Sequence, residues 1–164
     1  MRLINDFYPT PPRTLKVLFD KLDLSKVHSF LEPCKGDGRI LDLIPDHIDK
    51  SWCEISFGKD YFDYTFDVDL IVTNPPFSIS LEFIQKSLKE AKTVCYLQRL
   101  NWLGSKKRKP FWNEFTPDKL FVLSERPQFV QNEVIKEKCK ILNYILRNAS
   151  KMKKLPVGLL YYVS

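Results

Sequence analysis

A run of apolar residues, Val68-Asp69-Leu70-Ile71-Val72-Thr73, ends in Asn74-Pro75-Pro76-Phe77. The Asn side chain offers a carbonyl that accepts and an amide that donates. Two prolines fix the backbone around it, and the aromatic adds a flat face. This rigid, polar-then-flat surface suits gripping a planar molecule by an amino group. A plainer reading is a Pro-rich turn that stops a strand.

Three further groups of residues have the same character. Phe30-Leu31-Glu32-Pro33-Cys34-Lys35-Gly36-Asp37-Gly38 places two glycines where a strand turns, which allows close backbone approach of a ligand. A dinucleotide loop of the G-x-G-x-x-G kind needs a third glycine, but position 41 is Leu, which disfavours NAD. Glu54 follows about twenty residues on, where an acid at a strand end can hydrogen-bond ribose hydroxyls. Taken alone, Glu54 is equally a solvated strand end. Asp60-Tyr61-Phe62-Asp63-Tyr64 pairs an acid with aromatics that could cover a ring, or that simply pack into a core.

These residues need a scaffold that brings them together. Helix and strand signals alternate along the chain, as in an α/β layer fold. The spacing predicts helices over 11–22, 39–43, 81–89 and 132–150. It predicts strands over 28–32, 51–55, 69–73, 93–97, 119–123 and 157–163, with a short one near 64–66. In open α/β sheets, sites lie at the carboxyl ends of strands. Glu32 to Gly38, Glu54, Asp60 and Asn74 all fall there.

Composition bounds the reading. The 164 residues suffice for one domain with a full core, and the hydrophobic content of 44% is that of a globular chain. No apolar stretch approaches the ~20 residues of a membrane span, and the first residues lack a signal-peptide core. A cytoplasmic protein with no membrane association is expected. Four scattered cysteines and two histidines show no ligand spacing, so reduced thiols and no metal are expected. The net charge of +6 favours a polyanionic partner. Residues 131–154 hold seven Lys or Arg against two Glu, and Lys106-Lys107-Arg108-Lys109 forms a second cluster in a predicted loop.

Together the motifs resemble the S-adenosylmethionine-dependent N6-adenine DNA methyltransferases. The resemblance also takes in Asp6-Phe7-Tyr8-Pro9-Thr10-Pro11, Asn101-Trp102-Leu103, Arg126-Pro127 and Phe129, and so runs from about residue 5 to 129. It implies a single domain over 1–164 with a Rossmann-like class I methyltransferase fold. That fold is a mostly parallel twisted sheet with an antiparallel last strand and helices on both faces. The basic stretch at about 131–154 would be an insertion between the last two strands. By similarity, Phe7, Tyr8, Pro9 and Thr10 border the methionine part of S-adenosylmethionine. Glu32, Pro33, Gly36 and Gly38 lie beneath it, Glu54 takes the ribose, and Asp60 with Tyr61 meets the adenine. Asn74, Pro75, Pro76 and Phe77 would then hold the target amine of adenine in DNA. The same motif also serves RNA or a protein glutamine amide, and a catalytically silent nucleic-acid-binding subunit keeps the fold without the chemistry.

The chain departs from the family in two ways. There is no room for a target-recognition domain, so relaxed specificity, a homodimer or a recognition partner is implied. Lys35 adds a positive charge where small residues are common. Nucleic-acid contact, with double-stranded DNA as the expected partner, falls to Lys106, Lys107, Arg108 and Lys109 and to Lys151, Lys153 and Lys154. Such contacts to phosphate position a duplex without reading its sequence. Reversing charge at Lys151, Lys153 and Lys154 is expected to weaken DNA binding and flatten its salt dependence. Unchanged binding across a salt titration would remove that stretch from the interface.

Overall fold

The computed structural model describes residues 9–123, together with the backbone of two strands at 141–144 and 157–162. Helix α1 (Pro12–Phe19) opens on prolines, whose fixed φ suits a first turn. Strand β1 (Ser29–Glu32) leads into the glycine loop, β2 (Asp49–Trp52) follows, and β3 (Val68–Thr73) ends at Asn74. Helix α2 (Ser80–Glu90) runs directly into β4 (Ala91–Arg99). Helix α3 (Lys109–Glu114) precedes β5 (Lys119–Leu123), β6 (Ile141–Tyr144) and β7 (Val157–Tyr162).

The sheet order is β2-β1-β3-β4-β7-β5-β6. The first four strands form an all-parallel sheet, with Leu31 beside Ser51 on one side and Ile71 on the other. This order is compatible with a Rossmann-like layout. Alternation along the strands feeds two cores. Phe30, Leu70, Val72, Cys95 and Leu97 pack with Leu15 and Leu18 of α1. Leu31, Ile71, Val94 and Tyr96 pack with Phe83, Ile84 and Leu88 of α2. Helices therefore cover both faces, which is why the strands read as continuous apolar runs rather than alternating ones.

Polar side chains clip the layers together. Asp69 accepts from the backbone N–H of His28 at 2.7 Å and Ser29 at 3.1 Å, pinning the start of β1 to β3. On the α2 face, the Tyr61 hydroxyl donates to Glu90 at 2.7 Å and lies 3.0 Å from Ser87 Oγ, which in turn meets the Tyr96 hydroxyl at 2.7 Å. Lys86 closes this network on Glu90 at 2.6 Å. Buried polar groups are retained at low cost when they are satisfied in this way.

Several expected elements differ. The helix over 39–43 is only a 3₁₀ turn, Leu41–Leu43, because Pro45 forces Ile44 into an extended conformation. The second strand lies at Asp49–Trp52 rather than 51–55, since the chain leaves the sheet so that Glu54 can cap a 3₁₀ turn at Ile55–Phe57. No strand forms near 64–66; that stretch follows the 3₁₀ turn Tyr61–Asp63 instead. Lys106 to Lys109 is not a loop but the turn Lys106–Arg108 entering α3, with Pro110 in its first turn.

The helix predicted over 132–150 gives way at Ile141–Tyr144 to strand β6, which pairs antiparallel with β5. Open backbone groups on the β5 edge outweigh local helical propensity there. This also overturns the antiparallel last strand. Strand β6 already reverses the chain, so β7 returns in the original direction and pairs parallel with both β4 and β5. The rest of the basic stretch 131–154 lies outside the described residues. Among the described residues no helix is long and apolar enough to cross a membrane.

Ile71 is fully buried at the centre of the sheet. Ile71→Ala is expected to cost about 2–5 kcal/mol in urea unfolding. A loss below about 1 kcal/mol would mean that this strand is not central to the core.

Candidate active site

The chain runs from β1 outward to β2, then returns to place β3 on the other side of β1. The loops leaving β1 and β3 therefore diverge, and ligands of open α/β sheets sit at such a point. A cleft of about 500 Å³ opens there, within the range of small-molecule sites. Its walls come from the carboxyl ends of all three strands.

The β1 loop is shaped by glycine. Gly36 (φ 55°) and Gly38 (φ 87°) both occupy the left-handed region that other residues avoid. Glu54, at the end of β2, holds this loop: its Oε2 accepts from Gly36 N–H at 2.7 Å. Its Oε1 accepts from the Ser56 N–H at 3.1 Å and the Ser56 hydroxyl at 2.9 Å. A carboxylate has roughly four acceptor directions, so with three of them used Glu54 keeps one open, on Oε2. The carboxylate expected to take two ribose hydroxyls is thus first a brace for the glycine loop.

Glu32 lies at the end of β1, buried but lining the cleft. Its Oε2 accepts from Leu41 N–H at 3.0 Å. Burial pushes its carboxyl up to about 9, outweighing the Leu41 hydrogen bond and Lys35 nearby, with Asp37 and Asp42 adding to the rise. Lys35 does not neutralise it by contact: its ammonium lies over the Trp52 ring, 4.3 Å from the centre. Asp60 Oδ1 caps the next turn by accepting from Phe62 N–H at 3.0 Å.

From β3, Asn74 enters the cleft with Pro76. Its Nδ2 donates to the buried Thr10 hydroxyl at 3.2 Å. This contact orients the amide, whose oxygen is buried in the cleft wall.

The expected site residues divide clearly. Pro9, Thr10, Glu32, Pro33, Gly36 and Glu54 line the cleft, as do Asp60, Tyr61, Asn74 and Pro76. Gly38 shapes the loop without lining it. Tyr61 contributes an edge only, since its ring is buried in the α2-side core and its hydroxyl is held by Glu90. Pro75 is buried behind the cleft. Phe77 belongs to a smaller cleft nearby, shared with Trp102, Lys107 and Arg108. Lys106 and Lys109 are exposed outside both clefts. Arg108 donates to the Trp102 carbonyl at 2.6 Å, so it braces its own turn. Phe7, Tyr8, Lys151, Lys153 and Lys154 lie outside the described residues.

Three apolar residues at the cleft, Ile55, Phe57 and Ile79, were missed in the sequence, while Phe62 belongs to the Asp60–Tyr64 run already singled out there. Ile55 and Phe57, each 66% exposed, and Phe62 and Ile79 all border the cleft. Exposed apolar side chains around one concavity favour a flat, partly apolar ligand. For two of the missed residues the signal was available: Ile55 and Phe57 lie within three residues of Glu54, already singled out. Among the described residues no group of His, Cys, Asp or Glu could hold a metal ion.

Comparison with protein-family models, curated proteins and solved structures finds no match.

The raised Glu32 has a consequence for stability. The folded protein keeps this proton to higher pH than the unfolded chain, whose ordinary value is near 4.5. The stability it contributes is full below that pH and is lost as pH rises towards about 9. Denaturation between pH 5 and 9 is expected to show stability falling in the wild type and a flatter profile in Glu32→Gln. Parallel profiles for the two proteins would contradict this.

Proposed function

We propose that the protein transfers a methyl group from S-adenosylmethionine to the N6 amine of adenine in DNA. The observation that carries this reading is the convergence, in one cleft, of a Glu54-braced glycine loop, the buried Glu32 carboxyl and the Asn74 amide. Support also comes from the order of the motifs along the chain.

The cleft fits such a donor on chemical grounds. Glu32 is a carboxyl whose charged form lacks a counter-charge, and a cationic ligand would supply one. Ile55, Phe57 and Phe62 offer apolar faces for a purine, and Glu54 retains an acceptor direction for a ribose hydroxyl. When bound, S-adenosylmethionine supplies an activated methyl group, so no metal or covalent side chain is needed.

The protein's part is positioning. An exocyclic adenine amine is a weak nucleophile because its lone pair is delocalised into the ring. The Asn74 oxygen and, behind it, the Pro75 carbonyl would accept from that amine once it has entered past the buried cleft wall, which favours a pyramidal nitrogen with its lone pair directed away from the ring. Pro75 and Pro76 keep these acceptors preorganised, and alignment lowers the barrier. Asn74 can orient the amine but cannot take up its proton, which leaves to solvent. Phe77 gives the base a ring to stack on. A base in a duplex must be flipped out, at a cost of a few kcal/mol. Lys107, which shares the small cleft with Phe77, and its chain neighbours Lys106 and Lys109 would contact phosphates, and a partner subunit or second copy would add sequence recognition.

Incubation with tritiated S-adenosylmethionine and separate DNA, RNA and peptide acceptors is expected to label DNA. Asn74→Ala should lower the rate by about 10²–10³-fold with little change in donor affinity. Label confined to RNA or peptide would move the acceptor, and absence of both label and donor binding would remove the enzyme reading.

A further inference from the structure

Phe77 carries a guanidinium on its ring. Arg99, the last residue of β4, lies over it with its guanidinium carbon 4.6 Å from the ring centre. Arg99 is exposed, and among the described residues no carboxylate pairs with it. A second guanidinium stacks close by, Arg108 over Trp102 at 4.8 Å. The two differ in how they are held. Arg108 is tied to the carbonyls of Trp102 and Asn101 at 2.6 and 3.4 Å. Stacking on Phe77 is the contact that the structure records for Arg99. The Phe77 ring also borders the small cleft that holds Lys107.

A guanidinium is planar and cationic, and it stacks on aromatic faces much as a nucleobase does. It also pairs with phosphate through a fixed fork of donors. We infer that Arg99 holds the place of the target base on Phe77 and moves from the ring to a phosphate of the same strand when the base enters. The inference rests on the reading in which Phe77 stacks the target. It assigns Arg99 two opposed effects: it competes with a bare nucleoside for the ring, and it assists a nucleotide within a strand. An exposed cation–π contact is weak enough to be displaced, and stacking of a base replaces it. The arrangement would disfavour free nucleosides and reserve Phe77 for nucleic acid.

The test uses 2-aminopurine, as the free riboside and at one position of a single-stranded DNA oligonucleotide, with binding followed by fluorescence across a salt series. Arg99→Ala is expected to bind the riboside about 2- to 5-fold tighter. The same variant should bind the oligonucleotide more weakly, with a log–log salt slope shallower by about 0.7. Arg99→Lys keeps the charge without the planar fork, so it should retain the wild-type salt slope and show part of the riboside gain. Adding Phe77→Ala to Arg99→Ala should abolish that gain. Riboside affinity that does not rise in either Arg99 variant, or a salt slope unchanged in Arg99→Ala, would overturn the inference. Should Arg99→Ala fail to fold, the riboside gain in Arg99→Lys decides. A wild type that labels no nucleic acid would count against methyl transfer alone, because the binding series judges Arg99 by itself.

Discussion

Everything at the cleft depends on β1 lying between β2 and β3. The chain leaves β1 towards one edge of the sheet and returns on the other side. The loops at the carboxyl ends of β1 and β3 must therefore part, and no backbone fills the gap between them. Glu54 spans part of it by holding Gly36 at 2.7 Å. Thr10 spans another part by accepting from Asn74 at 3.2 Å. These two hydrogen bonds fix the β1 wall and the β3 wall around one space.

The charge distribution in that space is uneven. The acids Glu32, Asp37, Glu54 and Asp60 line it, while the ammonium groups of Lys35 and Lys59 lie over Trp52 at 4.3 and 4.8 Å. Part of the positive charge that would oppose a cationic ligand is thus drawn onto an indole face. Glu32 stays neutral for want of a counter-charge rather than from a competing anion in contact, since burial is the main cause of its shift.

The far side of Asn74-Pro75-Pro76-Phe77 has the opposite character. Arg99, Lys107 and Arg108 gather around Phe77 and Trp102. The four-residue motif is the partition between the larger, apolar-rimmed cleft and a smaller one where Lys107, Arg108 and Glu82 meet Phe77 and Trp102. That division gives the proposed reaction its two ligands without a separate recognition domain among the described residues.

The sequence by itself determined the carboxyl ends of β1 and β3 and the residues on them. Apolar runs marked β1, β3 and β4, and Glu32, Gly36, Glu54, Asp60 and Asn74 were legible because turn and cap chemistry is local. Tertiary structure decided what local pattern cannot carry. It turned Tyr61 inward, because its hydroxyl finds Glu90 across 29 positions of chain. It made Glu54 a brace before a ligand contact, and it brought Ile55, Phe57, Phe62 and Ile79 around one cavity. It put Arg99 on Phe77, a pairing between two strand ends with no signature in either segment. It also placed β6 where a helix was expected and turned β7 parallel, because an unpaired sheet edge offers hydrogen bonds that outweigh local propensity. Residue type and spacing were enough to raise the expectation of one chemistry, but only the crossing of distant segments decided which side chains face the cleft.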